Sequence, residues 1–323
     1  MTRRRAVTFR QRLAAWTLGL LYLAIVVAFS IASPRFFTLT NALNVLTQAS
    51  VVGAAAAGLT LVMLTAGMDL SIGSTMLLAS AVGGALVVWA DAPVAVALGA
   101  MLAVGVLVGL VNGLLVVRAK VSPIIATIGV LFVARGCGLW ITQTRALNLP
   151  DEFRQLATAR LAGVATPVWT LAAVTLAGWL ITSRTAFGRQ LYAIGADERV
   201  AERAGVAVGR HVMAAYALSG LTAGVAGVLL LAQLATVSPG LGRGLELEAI
   251  AAAVLGGVSL FGGRGAVPGA VFGALVIQTV RNGLNLVDAN PFIYPLVTGG
   301  VILLAVALDS LRRGSPARDA AGP

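Results

Sequence analysis

The side chains in this sequence that could do chemistry lie mainly where long apolar stretches are interrupted. Asp69 stands in the run Ala66-Gly-Met-Asp-Leu-Ser71, between two such stretches. A charge inside a membrane is costly, so one that is retained there indicates a function. Interrupted helices expose backbone groups and helix ends that can form a solute site or a hinge. A second interpretation stays open, in which Asp69 caps the following helix together with Ser71.

A second set of polar residues lies near the end of another apolar stretch. Gln278, Arg281 and Asn285 are spaced to share one helix face, and Asn282 lies beside them. Amides and an arginine can exchange hydrogen bonds with a polyhydroxylated solute, or with neighbouring helices. Both interpretations stay open.

Several chemistries are excluded by composition. A Walker A loop requires G-x-x-x-x-G-K-[ST], and the single lysine, Lys120, lies between Ala119 and Val121. With one cysteine, Cys137, and one histidine, His211, neither an intramolecular disulfide nor a cluster of such metal ligands can form. We therefore predict that the chain is not an enzyme and binds no metal or cofactor itself. At the start of a later helix, Glu246 and Glu248 have the acidic character that the helix dipole favours, which indicates a structural role.

The composition places these residues in a membrane. Hydrophobic residues make up 59% of the 323 residues and charged residues 11%, and the net charge is +11. Because the basic residues are dispersed among short gaps without interleaved aromatic residues, we expect no nucleic acid partner. About 20 apolar residues cross a bilayer as a helix. We predict an all-α polytopic membrane helix bundle of about ten spans, some of them interrupted, near 14–32, 42–64, 71–90, 94–117, 122–142, 167–182, 212–234, 247–262, 266–285 and 292–309.

Eight spans are an alternative, because 66–72 and 255–268 could be re-entrant. The bias of arginine and lysine between alternate gaps predicts that both termini are cytoplasmic. The membrane domain is then 14–309, flanked by cytoplasmic tails at 1–13 and 310–323. Its two long loops are an outer one at 143–166 and an inner one at 183–211, in which Asp197 is expected to cap a short helix.

Glycines recur at helical spacing on single faces, which lets helix backbones approach closely in lipid. We predict helix packing at Gly105, Gly109, Gly113, Gly220, Gly224, Gly269 and Gly273. A weak internal echo is also present, since Gly67-Met-Asp-Leu-Ser-Ile-Gly73 and Gly257-Val-Ser-Leu-Phe-Gly-Gly263 both fit G-x-[DS]-L-x-x-G.

An ordered set of motifs gives the sequence a family resemblance. They are Ser33-Pro-Arg-Phe-Phe-Thr38 with Asn41-x-x-Asn-Val-Leu-x-Gln48, Thr65-Ala-Gly-Met-Asp-Leu-Ser-Ile-Gly73, Pro123-Ile-Ile-Ala-Thr-Ile-Gly129 with Arg135-Gly136, Thr185-x-Phe-Gly-Arg-x-x-Tyr-Ala-Ile-Gly195, Glu246-Leu-Glu-Ala-Ile-Ala251, Val254-Leu-Gly-Gly-Val-Ser-Leu-x-Gly-Gly263, Asn282-Gly-Leu-Asn-Leu286 and Val301-Ile-Leu-Leu-Ala-Val306. Over about residues 30–310 the chain resembles the permease subunit of ribose-type ABC importers, which carry monosaccharides across the bacterial inner membrane.

The resemblance implies several partners. Two permease copies, or two related permeases, would form the pathway within membrane lipid. A periplasmic or lipid-anchored sugar-binding protein would deliver the solute, and a separate ATPase subunit would bind ATP and Mg²⁺. The element coupled to that ATPase would comprise Thr185, Phe187, Gly188, Arg189, Tyr192, Ala193, Ile194, Gly195 and Asp197. The hypothesised substrate pathway comprises Asp69, Ser71, Gln278, Asn282, Asn285 and Tyr294.

Two alternatives differ in solute or energy source. Related permeases move branched-chain amino acids or nucleosides through a similar bundle. A secondary transporter driven by an ion gradient would need a titratable relay in the membrane, and Asp69 is the acidic residue that could begin one. The sequence favours a monosaccharide importer subunit over both.

Overall fold

The computed structural model describes residues 18–297, 299, 300 and 303. The predicted tails at 1–13 and 310–323, and half of the span predicted at 292–309, lie outside these residues. The helices are α1 Leu18–Ala32, α2 Leu39–Leu64, α3 Ile72–Ala90, α4 Val94–Val117, α5 Pro123–Thr142, α6 Asp151–Thr158, α7 Thr166–Arg184, α8 Ala186–Ala196, α9 Glu198–Arg203, α10 Val208–Leu234, α11 Leu245–Leu255 and α12 Val267–Leu286. A 3₁₀ turn follows at Pro291–Ile293.

The strands of the described region have two residues each and lie near the predicted outer side. Strand β1, Leu147–Asn148, pairs antiparallel with β4, Thr236–Val237. Strand β2, Arg160–Leu161, pairs antiparallel with β3, Val164–Ala165. The loop predicted at 143–166 therefore contains α6 and three short strands, and the mainly helical fold expected from the sequence is confirmed.

Six helices of the described residues are long and apolar enough to cross a membrane: α2, α3, α4, α5, α7 and α10. Their bounds follow the predicted spans closely, and α4 coincides with the prediction of 94–117. Large apolar side chains of these helices are exposed at the surface of the protein, among them Phe132 at 69% and Trp140 at 82% on α5. In lipid such faces need no protein partner, because the surrounding tails are as apolar as the side chains.

The span predicted at 247–262 is wrong in its extent. Helix α11 has 11 residues, about 16 Å at 1.5 Å per residue, which is half the thickness of a bilayer core. It ends because Gly257 adopts φ +87° and two crossed hydrogen bonds close the terminus, from Gly257 N–H to the Val254 carbonyl and from Val258 N–H to the Ala253 carbonyl, both 2.9 Å. Residues 256–266 then lead into α12 without helical structure.

Contacts divide the chain into two compact units, with the boundaries inside α2 and α12. One unit, residues 46–275, contains the helices from α3 to α11. The other contains residues 1–45 and 276–323, of which the structure describes α1, the start of α2, the end of α12 and the short segment that follows. In this unit the rings of Phe29 and Phe36 lie 5.5 Å apart, and a Cβ on Gly283 would overlap the Phe29 ring.

Helices α4 and α10 meet backbone to backbone within the larger unit. A Cβ on Gly105 would overlap the Gly220 carbonyl, and one on Gly109 would overlap the Tyr216 carbonyl. Gly113 lies against Met213 and Gly224 against Met101. The same close approach joins α11 to α12, where Gly269 lies against Gly256 and Gly273 against Ala252. Small residues at these positions allow dispersion contacts and short interhelical distances in lipid.

Candidate functional site

Asp69 lies in the non-helical segment that joins α2 to α3, and both oxygens of its carboxylate accept hydrogen bonds. Asp69 is 1% exposed. Its Oδ1 accepts hydrogen bonds from the Ser71 backbone N–H at 3.0 Å and the Ser71 hydroxyl at 2.6 Å. Its Oδ2 accepts one from the Ser219 hydroxyl of α10 at 2.8 Å. A buried carboxylate is tolerated only with such donors, because burial removes its hydration.

Asn112 connects α4 to the same carboxylate. Its Nδ2 donates to the Ser71 hydroxyl oxygen at 2.7 Å and, more weakly, to Asp69 Oδ1 at 3.4 Å. Asn112 is fully buried, and its Oδ1 has no hydrogen-bond partner among the described residues. We call Asp69, Ser71, Asn112 and Ser219 the Asp69 cluster. It joins the start of α3 to α4 and α10 through side chains.

The backbone next to Asp69 is held as well. The Met68 carbonyl accepts hydrogen bonds from the Tyr216 hydroxyl of α10 at 3.1 Å and from the Thr127 hydroxyl of α5 at 3.4 Å. Tyr216 is fully buried, and a Cβ on Gly67 would lie 3.1 Å from its hydroxyl oxygen and 2.9 Å from the Val62 side chain. Helices α4, α5 and α10 therefore all contribute hydrogen bonds that fix this interruption.

The geometry bears on the two interpretations of Asp69. Ser71 is the N-cap residue of α3, but its side chain makes no capping hydrogen bond. Asp69 accepts from the N-cap N–H and also from a residue 150 positions away. Its bonds thus hold several helices together, which is more than a local cap does. Contact of Asp69 and Ser71 with solute stays a prediction.

The other predicted pathway residues lie in the smaller unit. Asn282 Oδ1 accepts a hydrogen bond from Asn41 Nδ2 at 2.9 Å, and the same Asn41 group donates to the Phe36 carbonyl at 2.9 Å. Gln278 is buried, Asn285 is exposed and Tyr294 is half-buried. Asn282 therefore joins α12 to the start of α2, and the role of these residues toward solute stays a prediction.

Helix α8 is amphipathic, and its buried face packs within the larger unit. Thr185 caps it by accepting a hydrogen bond from Gly188 N–H at 3.1 Å. Leu191 is fully buried in a cluster with Leu61, Leu64 and Tyr216, and a Cβ on Gly188 would overlap the α7 backbone. Of the predicted coupling residues, Phe187, Gly188, Tyr192, Ile194 and Gly195 are buried or half-buried.

The opposite face of α8 is exposed. Arg189, Ala193 and Asp197 lie on it, together with the cap residue Thr185. Asp197 Oδ1 accepts a hydrogen bond from Val200 N–H at 3.0 Å and so caps α9. Val200 is 60% exposed and Arg203 is exposed, so α9 extends the uncovered surface. The predicted coupling element thus has an anchored half and a free half.

The anchored half of α8 touches both interruptions of the membrane helices. A Cβ on Gly195 would overlap the Leu64 carbonyl at the end of α2 and the Gly263 backbone nitrogen. Gly263 N–H donates to the Leu64 carbonyl at 3.0 Å. The Tyr192 hydroxyl donates to the Gly265 carbonyl at 2.8 Å, and burial raises the pKa of this hydroxyl, so it keeps its proton at physiological pH.

Sequence reasoning missed the residues that hold Asp69, namely Asn112, Thr127, Tyr216 and Ser219. Neither a charge nor a cluster of amides marks these four positions in the sequence. One signal was present, because Asn112 is the single polar side chain in the 24 residues of α4. An isolated amide inside an apolar span has to find a hydrogen-bond partner, since lipid offers none.

Comparison with known proteins gives a family match and several similar permeases. Residues 41–306 match the family described as "Branched-chain amino acid transport system / permease component". The ribose import permease protein RbsC of Escherichia coli strain K12 is 39% identical over 297 residues, which cover 90% of this chain and 92% of that protein. The RbsC of Bacillus subtilis strain 168 is 40% identical over 296 residues, covering 90% and 91%.

A fructose import permease, FrcC of Rhizobium meliloti, is 35% identical over 305 residues, which cover 92% of this chain and 85% of that protein. No solved structure matches the chain. The family match extends over most of the sequence and includes both helix interruptions and α8. The chain therefore belongs to the branched-chain amino acid transport system / permease component family, as a multi-pass protein of the bacterial inner membrane.

Proposed function

We propose that this chain is the membrane-spanning subunit of an ATP-driven importer that moves a monosaccharide into the cell. The named functions of similar permeases support a sugar, since they import ribose, fructose and D-allose. The observation that carries the mechanism is the position of α8. It presents one uncovered face while its other face contacts both helix interruptions.

The proposal includes partners that supply what this chain lacks. A separate ATPase subunit binds ATP and Mg²⁺ and docks on the free face of α8 and α9, which places that face in the cytoplasm. A periplasmic or lipid-anchored binding protein delivers the sugar on the opposite side. A second permease, identical or related, completes the passage.

Movement passes from α8 to the membrane helices through rigid contacts. The Gly195 backbone abuts the end of α2 and the 262–263 turn without an intervening side chain. A displacement of α8 therefore moves both interruptions, because backbone atoms in contact cannot be compressed. In this proposal the Asp69 cluster, which begins five residues after Leu64, keeps its shape and carries that displacement to the start of α3.

The family description also names branched-chain amino acids, and that solute class is the alternative.

Uptake into proteoliposomes holding this chain with its ATPase and binding protein separates a sugar importer from an amino acid importer. D-Ribose, D-fructose, D-allose, leucine and a nucleoside are supplied outside, with ATP inside or with an imposed proton or sodium gradient. ATP-dependent uptake of one sugar is expected. Uptake of leucine would replace the sugar assignment, and gradient-driven uptake without ATP would overturn the importer.

Reversing one charge on the free face of α8 tests the docking surface. Arg189→Glu is expected to lower ATP-dependent uptake about tenfold, because reversing an interfacial charge replaces attraction by repulsion and a loss of about 1.4 kcal/mol weakens a complex tenfold. Arg189 is exposed, so the thermal unfolding midpoint of the purified chain should stay unchanged. Arg154→Glu, at another exposed arginine in the outer loop, serves as the control. Equal uptake by both variants would contradict docking at α8.

A further inference from the structure

An apolar groove lies on the surface of the larger unit, separate from the Asp69 cluster. It has a volume of about 440 Å³ and runs along α7 from Val168 to Trp179, with α2 and α12 forming its other walls. Leu176 and Trp179 in its lining are 54% and 37% exposed. Because α7 is one of the six helices that can cross the membrane, the groove opens toward lipid.

Two glycines bring the walls of the groove together at its floor. A Cβ on Gly53 of α2 would lie 2.8 Å from the Leu171 side chain of α7 and 3.6 Å from the Val271 side chain of α12. Nearer to α8, a Cβ on Gly178 would lie 2.9 Å from the Val267 side chain. The three helices therefore meet behind the groove, while its outer side stays open.

The lining selects an apolar chain. Thr175 has the one hydroxyl among the lining residues, and it already donates to the Leu171 carbonyl at 2.7 Å. A polyhydroxylated solute would find too few hydrogen-bond partners along such a wall. Val168 and Trp179 are 11 residues apart, about 16 Å, which matches one leaflet of a bilayer core about 30 Å thick. The groove thus has the depth and the polarity that suit one lipid acyl chain.

A positive charge lies at the α8 end of the groove. The guanidinium carbon of Arg184, the last residue of α7, lies 5.6 Å from the centroid of the Trp179 ring. Arg184 is exposed and makes no ion pair within the part of the chain that the structure describes. Arg264, also exposed, precedes by three residues the Val267 that packs on Gly178. Tryptophan and arginine at the end of a span commonly lie at the level of the lipid headgroups.

These charges select an anionic occupant. A guanidinium forms paired, charge-assisted hydrogen bonds with a phosphate, and basic residues beside a span attract anionic lipids. A second copy of this chain would bring a net charge of +11 toward the same arginines. We propose that the groove binds one acyl chain of an anionic phospholipid and that Arg184 binds the phosphate of that lipid. The assignment of this lipid to the cytoplasmic leaflet rests on the proposed function, whereas its binding does not.

The test uses the full chain in phosphatidylcholine bilayers, to which phosphatidylglycerol or phosphatidylcholine with brominated acyl chains is added. Bromine quenches tryptophan fluorescence on contact, and the signal of Trp179 is the difference between each protein and its Trp179→Phe counterpart. Half-maximal quenching of Trp179 is expected at a mole fraction about fivefold lower for phosphatidylglycerol, the effect of one arginine beside an anionic lipid. Arg184→Gln, and Ala172→Phe, which fills the groove, should each bring this ratio toward one.

Two controls separate the groove from the rest of the surface. Trp140 is 82% exposed on α5 and does not line the groove, so both brominated lipids should quench it equally. Its signal is obtained with Trp140→Phe in the same way. Arg118→Gln removes an exposed arginine from the corresponding end of α4 and should leave the ratio at Trp179 unchanged.

A ratio of one in the unchanged protein, or an unchanged ratio in Arg184→Gln or Ala172→Phe, would overturn the lipid site. Absence of quenching at Trp179 by either lipid would overturn it as well. A disulfide between two copies of Leu176→Cys, made in a Cys137→Ser chain, would then assign the groove to a second copy. These measurements need neither the ATPase nor a sugar, so failure of sugar uptake would overturn the proposed function and leave the lipid site standing.

Discussion

The two interruptions of the membrane helices, residues 65–71 after α2 and residues 256–266 after α11, begin with the same backbone arrangement. Both helices end with a crossed pair of hydrogen bonds and one left-handed residue, Ala66 in the first and Gly257 in the second. In both, a side-chain oxygen then accepts from the N–H two residues further on. These bonds are Ser71 N–H to Asp69 at 3.0 Å and Phe261 N–H to Ser259 at 3.1 Å.

Beyond this shared start the two segments are held differently. Asp69 is buried, and α10 and α4 contribute donors to it. Ser259 is half-exposed, while Leu260 and Phe261 beside it are 42% and 87% exposed. The second segment is fixed chiefly by backbone, through Gly263 N–H to the Leu64 carbonyl and Ser259 N–H to the Arg264 carbonyl, both 3.0 Å.

This difference indicates which of the two segments is rigid and which is mobile. A buried polar network specifies one arrangement, because every member is costly to leave unpaired. A glycine-rich turn with exposed apolar side chains can change its conformation at a smaller cost. We therefore expect the first interruption to keep its shape and the second to adapt when α8 moves.

Removing the Asp69 carboxylate should produce the largest difference in stability between the two interruptions. Asp69→Ala leaves the Ser71 N–H, the Ser71 hydroxyl and the Ser219 hydroxyl without their acceptor and should lower the free energy of unfolding by about 3 kcal/mol. Ser259→Ala removes one half-exposed acceptor and should cost about 1 kcal/mol or less. Thermal unfolding of the purified variants in one detergent measures both. Equal shifts in the unfolding midpoint would show that the two interruptions are held alike.

Adding one methyl group at Gly195 of α8 should affect both the stability of the chain and the coupling of uptake to ATP hydrolysis. Gly195→Ala inserts a Cβ against the Leu64 carbonyl and should cost about 1–3 kcal/mol through overpacking. It should also reduce uptake per ATP hydrolysed, because the contact between α8 and both interruptions is displaced. Gly129→Ala, in α5 with open space around it, is the matched control and should be neutral or slightly stabilising. Unchanged coupling in Gly195→Ala would show that this contact transmits no motion.

Exchanging alanine and glycine at the two left-handed positions should produce the smallest difference in stability between the two interruptions. Ala66 has φ +60°, so Ala66→Gly should stabilise the chain by up to about 1 kcal/mol. Gly257→Ala should destabilise it by a similar amount, since its φ is +87° and no atom lies near a Cβ there. Unfolding midpoints of the two variants should shift in opposite directions. Shifts of the same sign would mean that contacts, and not backbone conformation, dominate these two positions.

The sequence predicted the long helices well, because hydrophobic length is a local property. The predicted span of 94–117 coincides with α4, and the glycines of α4 and α10 face one another at close range. The extent of α11 was overestimated, because its apolar run continues through Gly256 and Gly257 to Phe261. Hydrophobicity alone does not register the left-handed turn that ends the helix.

The candidate site was predictable in its centre but not in its surroundings. The interruption around Asp69 stands out in the sequence, whereas Ser219 lies 150 residues away and Asn112 lies 43 residues away. Such pairings depend on tertiary packing, which no local pattern encodes.

The backbone contact between α4 and α10 has a mechanical consequence. A one-residue register shift of α4, which combines a slide of about 1.5 Å with a rotation of about 100°, would bring Val104 or Val106 to the place where Gly105 meets Gly220, and a branched side chain cannot fit there. The two helices are thus locked in one register and travel as a single body. Because α4 carries Asn112 and α10 carries Ser219 and Tyr216, the anchors of Asp69 keep their mutual spacing throughout a transport cycle. They form a rigid internal reference against which the motion of the other helices can be measured.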